Sequence, residues 1–108
     1  MTLREAAAAC DGEIVVADDE ATTLEAVYVS DLLSDVMGHA PPDSLLITVQ
    51  NHLNTIAVCT LAEIRAVLIC HNREIPDDLK AVARRERVAL LRTPLDQFPA
   101  ACRLSSLA

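Results

Sequence analysis

Apolar residues in this chain fall into short continuous runs separated by stretches in which they recur every three or four positions. Leu45-Leu46-Ile47-Thr48-Val49 and Ala66-Val67-Leu68-Ile69-Cys70 are nearly unbroken, as expected of strands covered on both faces. Val88-Ala89-Leu90-Leu91, Glu13-Ile14-Val15-Val16 and Ala26-Val27-Tyr28-Val29 are shorter strand candidates, the last rich in β formers. Helical spacing links Leu32, Leu33, Val36 and Met37, then Leu53, Ile56, Ala57, Leu61 and Ile64, then Leu79, Val82 and Ala83. In the second of these stretches the β-branched Thr55, Ile56, Val58 and Thr60 pull toward a strand, but the periodicity favours a helix.

Punctuation between the runs agrees. Thr2 and Glu5 form a capping box ahead of an Ala-rich helix, and Gly12 lies just beyond it. Ser30-Asp31 reads as the cap of the next helix and Gly38 as its end, before Pro41-Pro42 opens a loop. Gln50-Asn51-His52 and His71-Asn72-Arg73-Glu74 break the pattern after two strands. Pro76 suits a first helical turn, with Asp77 and Asp78 complementing its dipole. Arg84-Arg85-Glu86-Arg87 suits a solvated last turn. Thr93-Pro94 reads as another capped start, and Pro99 should kink that helix or begin a fresh one. The order α, β, β, α, β, α, β, α, β, α predicts one α/β domain over residues 1–108. It implies a mostly parallel central sheet of about five strands with helices on both faces.

Composition narrows the function classes. Of the residues, 52% are hydrophobic but only 2% aromatic, so the core must be built from small aliphatic side chains. Nine basic against 16 acidic residues give a net charge of −7. That field repels phosphate backbones, and no aromatic platform exists for single-strand stacking, so nucleic acid is not an expected partner. No apolar run approaches the ~18 residues of a membrane span, and Glu5 and Asp11 interrupt any secretory signal, so a cytoplasmic location without a membrane partner is expected. The four cysteines, Cys10, Cys59, Cys70 and Cys102, are widely spaced in apolar contexts and form no CxxC pair. They read as buried free thiols, with neither a metal site nor a cofactor implied.

In open α/β sheets, ligands gather beyond the carboxyl ends of the strands. The polar residues at those ends are Ser30 and Asp31, then Thr48, Gln50, Asn51 and His52, then His71 and Asn72, then Arg92 and Thr93. If the sheet is parallel, they share one rim with the helix starts, whose free N–H groups could hold a phosphate or carboxylate. The plainer account is that Ser30, Asn51 and Thr93 are N-caps and the histidines are solvated loop residues. The chain has only two glycines and no GxGxxG, GxxxxGK[ST] or GxSxG motif. Cys70-His71 are adjacent in sequence, whereas a thiolate–imidazole pair normally meets through folding. No catalytic residue set emerges.

The stretch from Tyr28 to Leu104 resembles the DRTGG domain family, small α/β modules found at the N-terminus of HPr serine kinase/phosphorylase-like proteins of bacteria. They also occur in some phosphate acetyltransferases, beside CBS domains, and alone. The similar segments are Val29 to Met37, Leu45-Leu46-Ile47-Thr48 with His52 and Asn54, Ala66-Val67-Leu68-Ile69, Pro76, and Thr93 to Phe98. The motif that names the family is absent; its neighbourhood reads Thr60-Leu61-Ala62-Glu63-Ile64. Many relatives carry Thr-Gly-Gly where this chain has Cys70-His71-Asn72, and those glycines would give the closest backbone approach to an anion. The resemblance implies an HPr kinase N-terminal-domain-like fold and a non-enzymatic regulatory role.

Two main readings follow. In the first, the domain senses a small anionic metabolite or nucleotide through Ser30, Asp31, Thr48, Gln50, Asn51, His52, His71, Asn72 and Thr93. In the second, it is a dimerising protein-interaction module that accompanies a kinase, acetyltransferase or redox/hydrogenase system, because so apolar a chain has surface to bury in a partner. A homodimer and an enzyme partner are the expected protein contacts. A small enzyme acting through Cys70 or a histidine is a third reading, without a supporting constellation.

Overall fold

The computed structural model describes residues 1–107. Five helices and five strands occur in the expected order: α1 (Leu3–Ala9), β1 (Glu13–Val16), β2 (Ala26–Val29), α2 (Leu33–His39), β3 (Ser44–Thr48), α3 (Leu53–Ala62), β4 (Ala66–Ile69), α4 (Asp77–Glu86), β5 (Ala89–Arg92) and α5 (Gln97–Ser105). The strands form one sheet in the order β1-β5-β4-β3-β2.

The sheet is mixed, which corrects the expectation of a mostly parallel one. β2, β3, β4 and β5 run parallel, but β1 pairs antiparallel with β5. Parallel strands need a crossover that returns the chain to the starting end of the sheet, and residues 17–25 contain none. The segment between β1 and β2 instead carries the chain across to the far edge, and β1 takes the opposite direction. A bulge at Val15 lets Ile14 face Leu91 while Val16 faces Leu90, twisting this edge strand.

The alternation of strand side chains divides the core into two layers. Leu45, Ile47, Ala66, Leu68, Ala89 and Leu91 pack against Leu3, Ala6 and Ala7 of α1 and Ala100 and Leu104 of α5. Leu46, Val67, Ile69 and Leu90 pack against Val36 of α2, Ile56 and Cys59 of α3, and Leu79 and Ala83 of α4. Helices thus cover both faces. The three crossovers between parallel strands all lie on one face, so the parallel strands contain no point at which the winding changes side.

Several local expectations shift. α2, α3 and α5 are capped by Leu32, His52 and Asp96, and none of the three caps uses its side chain. Ser30, Asn51 and Thr93 are therefore not helix caps; each side chain is engaged elsewhere. Gly38 lies inside α2. Pro76 caps α4 rather than entering it. Pro99 falls in the first turn of α5, where the N–H it lacks would have no helical partner, so neither kink nor restart is needed. At the end of α1, Asp11 takes the left-handed conformation at φ 51°. Gly12 eases a close approach: a Cβ would lie 3.3 Å from the Ala7 carbonyl oxygen, so a larger residue would need a shift of a few tenths of an ångström. The Thr2–Glu5 capping box is present in full. No helix among the described residues is long and apolar enough to cross a membrane.

Candidate functional site

At the carboxyl rim of the parallel strands, Asp31 is a shared acceptor. Its Oδ1 receives the Thr48 hydroxyl at 2.8 Å, the Val49 N–H at 2.9 Å and the Gln97 amide at 2.9 Å. Its backbone carbonyl accepts from the Gln50 side chain at 2.9 Å. Burial alone would raise the carboxyl pKa. The bonds from Val49, Thr48 and Gln97, with the positive charge of Arg73, outweigh it and hold Asp31 below the ordinary carboxylate range. Asp31, Thr48 and Gln50 are thus brought together, but their polar groups largely satisfy one another. Ser30 stands beside them, its hydroxyl accepting the Leu32 N–H at 3.2 Å.

His71, Asn72 and Thr93 form a second group. His71 and Asn72 both adopt the left-handed conformation, at φ 59° and 52°. Their N–H groups donate to the carbonyls of Leu95 and Thr93 at 3.0 and 2.8 Å, stitching the loop after β4 to the segment entering α5. Arg92 donates to the carbonyls of Asn72 and Arg73. Thr93 is fully buried and donates to the Cys10 carbonyl at 2.6 Å. His71 Nδ1 lies 3.5 Å from a carboxylate oxygen of Asp96. The segment from Thr93 to Gln97 therefore crosses the rim from β5 past β4 to Asp31, covering it on the α5 side.

Asn51 and His52 belong to a third place, on the side of α3 and α4. With Leu53, Asn54, Pro76 and Asp78 they line a hollow of about 320 Å³ where these two helices begin. The Asn51 amide donates to the Glu74 carbonyl at 2.8 Å, which leaves its Oδ1 buried without a hydrogen-bond partner. Such an orphaned acceptor carries a desolvation cost that a donor would relieve. His52 and His71 thus serve different layers.

The sequence reading did not place Gln97, Arg73, Asn54 or Asp78 among the site residues. Gln97 lies 66 positions from Asp31, and no local pattern could have joined them. Asp78 was read only as a dipole partner, since its position beside Asn54 depends on how two helices pack. The cysteines divide differently from the expectation that all are buried: Cys10, Cys59 and Cys70 are buried, but Cys102 is exposed on α5. Desolvation pushes the Cys59 and Cys70 thiols up to about 12, so Cys70 is a core side chain despite its neighbour His71. No cluster of three or more His, Cys, Asp or Glu among the described residues could hold a metal ion.

Compared with known proteins, residues 5–107 match the DRTGG domain. No curated protein is significantly similar in sequence. Among solved structures, the fold resembles the CBS and DRTGG domains of the regulatory region of Clostridium perfringens pyrophosphatase, complexed with its activator, diadenosine tetraphosphate. The likeness covers 95% of this chain at a TM-score of 0.78 and 11% identity, and this chain spans 45% of that one.

Proposed function

The chain belongs to the DRTGG domain family, and from that premise we propose that it is a non-catalytic regulatory domain that senses a nucleotide. The hollow between the starts of α3 and α4 is the reading's binding site. The carrying observation is Asn51, which lines that hollow and whose Oδ1 is an unpartnered acceptor; because that atom is closed to solvent in the free domain, a ligand donor would reach it only as the Asn51–His52 turn opens. The exocyclic amino group of a nucleobase is a donor of the required kind. About 320 Å³ suits a base rather than a whole dinucleotide. Asp78 on the wall and the net charge of −7 argue that phosphates would point out of the hollow, not into it. The activator held by the pyrophosphatase regulatory region supports the ligand class.

Of the rim residues, Asn51 and His52 line this site. Ser30, Asp31, Thr48, Gln50, His71, Asn72 and Thr93 support it by fixing the loops behind it. The domain would act on an enzyme, with kinases, acetyltransferases and redox systems as the candidate partners, by binding nucleotide in one conformation better than in another.

Calorimetric titration with AMP, ATP and diadenosine tetraphosphate tests the reading. Binding to the native protein should fall at least about tenfold in Asn51→Leu, which removes the acceptor. No heat and no rise in melting temperature with any of the three at millimolar concentration would overturn it.

A further inference from the structure

The sheet ends at β2, and this edge is open. Ser30 N–H donates to the Ile47 carbonyl, while Val29 lies opposite Ile47. By the alternation of a parallel ladder, Ala26 and Tyr28 also turn their N–H and C=O groups toward β3, and Val27 and Val29 turn theirs away from it. Among the described residues nothing pairs with that outer row. The antiparallel pairing of Met1 and Thr2 with Leu24 and Thr23 stops before β2 begins. Natural sheets blunt an open edge with charge, proline, a bulge or a covering segment. β1, the other edge, carries a bulge. β2, Ala-Val-Tyr-Val, has neither charge nor proline and keeps one register with β3 throughout. Exposed apolar side chains flank its carboxyl end: Val29 is 45% exposed and Leu32 64%. Phe98, the chain's single phenylalanine, is 78% exposed and follows Gln97, which reaches Asp31 at 2.9 Å. Charge is also divided along the chain. Of the nine basic residues only Arg4 precedes Arg65, so β2, α2 and β3 come from a stretch without lysine or arginine.

We propose that β2 receives an extended, basic segment of a partner protein as an added strand. A row of unpaired backbone donors and acceptors at strand spacing is matched by another polypeptide backbone, not by a small metabolite. Its charge follows from the surroundings: Glu25, Asp31 and Asp35 flank β2, and no cation between Arg4 and Arg65 offsets them in the sequence. Lysine or arginine on the incoming segment would meet these carboxylates, and apolar residues between them would cover Val29, Leu32 and Phe98. The added strand would extend both layers of the core, since Val27 packs on the α5 side and Tyr28 on the α2 side. A second copy of this chain fits poorly, because pairing β2 with β2 sets one acidic edge against another. None of these residues lines the hollow at Asn51, so the inference stands or falls apart from the nucleotide reading.

The probe is an end-blocked hexapeptide of alternating lysine and valine, titrated into the isotope-labelled native protein to millimolar concentration. The amide signals of Val27 and Val29 should shift, and their hydrogen exchange, fast in the free protein, should slow about threefold or more. The same peptide with N-methylated amides cannot pair and should bind about tenfold more weakly, as should a peptide with glutamate in place of lysine. Val27→Pro removes an outward N–H while keeping every bond to β3, a position where an edge strand tolerates proline. It should leave the circular dichroism spectrum unchanged and weaken the lysine peptide about tenfold. Glu25→Lys, at an exposed position, perturbs folding even less and should weaken the lysine peptide about threefold while admitting the glutamate one. The proposal is overturned by unmoved Val27 and Val29 signals, by equal binding of the N-methylated or glutamate peptide, by full binding to a folded Val27→Pro, or by Val27 and Val29 amides already protected in the free protein.

Discussion

Gln97 Nε2 donates to Asp31 Oδ1 at 2.9 Å, joining the first turn of α5 to the loop after β2 across 66 residues. The same oxygen holds the end of β3 through Thr48 and Val49. One carboxylate therefore ties an edge strand, an inner strand and the C-terminal helix together. The bonds that draw its pKa down also make it a stabilising group at neutral pH.

Asp31→Asn should accordingly destabilise the domain. Losing charge-assisted bonds, discounted for the solvent exposure of the side chain, costs about 1–2 kcal/mol. Because the folded pKa lies below the ordinary aspartate value, the contribution is fully present above that value and disappears as pH falls through the folded one. Urea titrations of the native and Asn proteins should differ most above about pH 5 and converge as the pH falls below the ordinary carboxylate range. A difference that stays constant across that range would show that the charge contributes nothing.

Thr93→Val should be costlier than Thr93→Ser. The Thr93 hydroxyl is buried, donates to the Cys10 carbonyl at 2.6 Å and accepts the Leu95 N–H at 3.2 Å. Valine keeps the shape but orphans both groups, at about 1–3 kcal/mol. Serine keeps the hydroxyl and loses one methyl group, about 1 kcal/mol of burial. The urea midpoint should fall in that order with the slope unchanged. Equal midpoints for the valine variant and the native protein would refute the role given to the hydroxyl.

Thiol labelling should separate the cysteines. Cys102 alone is exposed, whereas burial raises the pKa of Cys10, Cys59 and Cys70. A thiolate reagent at mildly alkaline pH should modify one cysteine in the native protein and four after denaturation, as counted by mass spectrometry. Rapid modification of Cys70 in the folded state would contradict its place in the core.

The elements were legible because the parallel strands are covered on both faces and the helices between them carry an apolar period. The direction of β1 was not, because Glu13–Val16 carries no mark of which neighbour it will pair with. Ser30, Asn51 and Thr93 are residue types that cap helices, yet each found a stronger partner in three dimensions: the Leu32 N–H, the Glu74 carbonyl and the Cys10 carbonyl. The last two partners lie 23 and 83 positions away, beyond any local rule. For the same reason the rim residues separate into a network around Asp31, a stitched loop at His71 and a hollow at Asn51.

That stitched loop yields a prediction in which glycine stabilises. His71 and Asn72 are consecutive left-handed residues, a conformation that glycine adopts without steric cost. A histidine at φ 59° pays about 1–2 kcal/mol for its Cβ, while asparagine tolerates the region better. His71→Gly removes that cost and gives back part of it through the greater freedom of the unfolded chain. It also gives up the weak, exposed approach to Asp96 at 3.5 Å. The net expectation is a gain of about 0.5–1 kcal/mol, larger than for Asn72→Gly. His71→Ala keeps the Cβ and should show no such gain. Chemical denaturation of the three variants decides the matter: a glycine variant less stable than the alanine one would mean that the strain at His71 is too small to outweigh the freedom glycine adds to the unfolded chain.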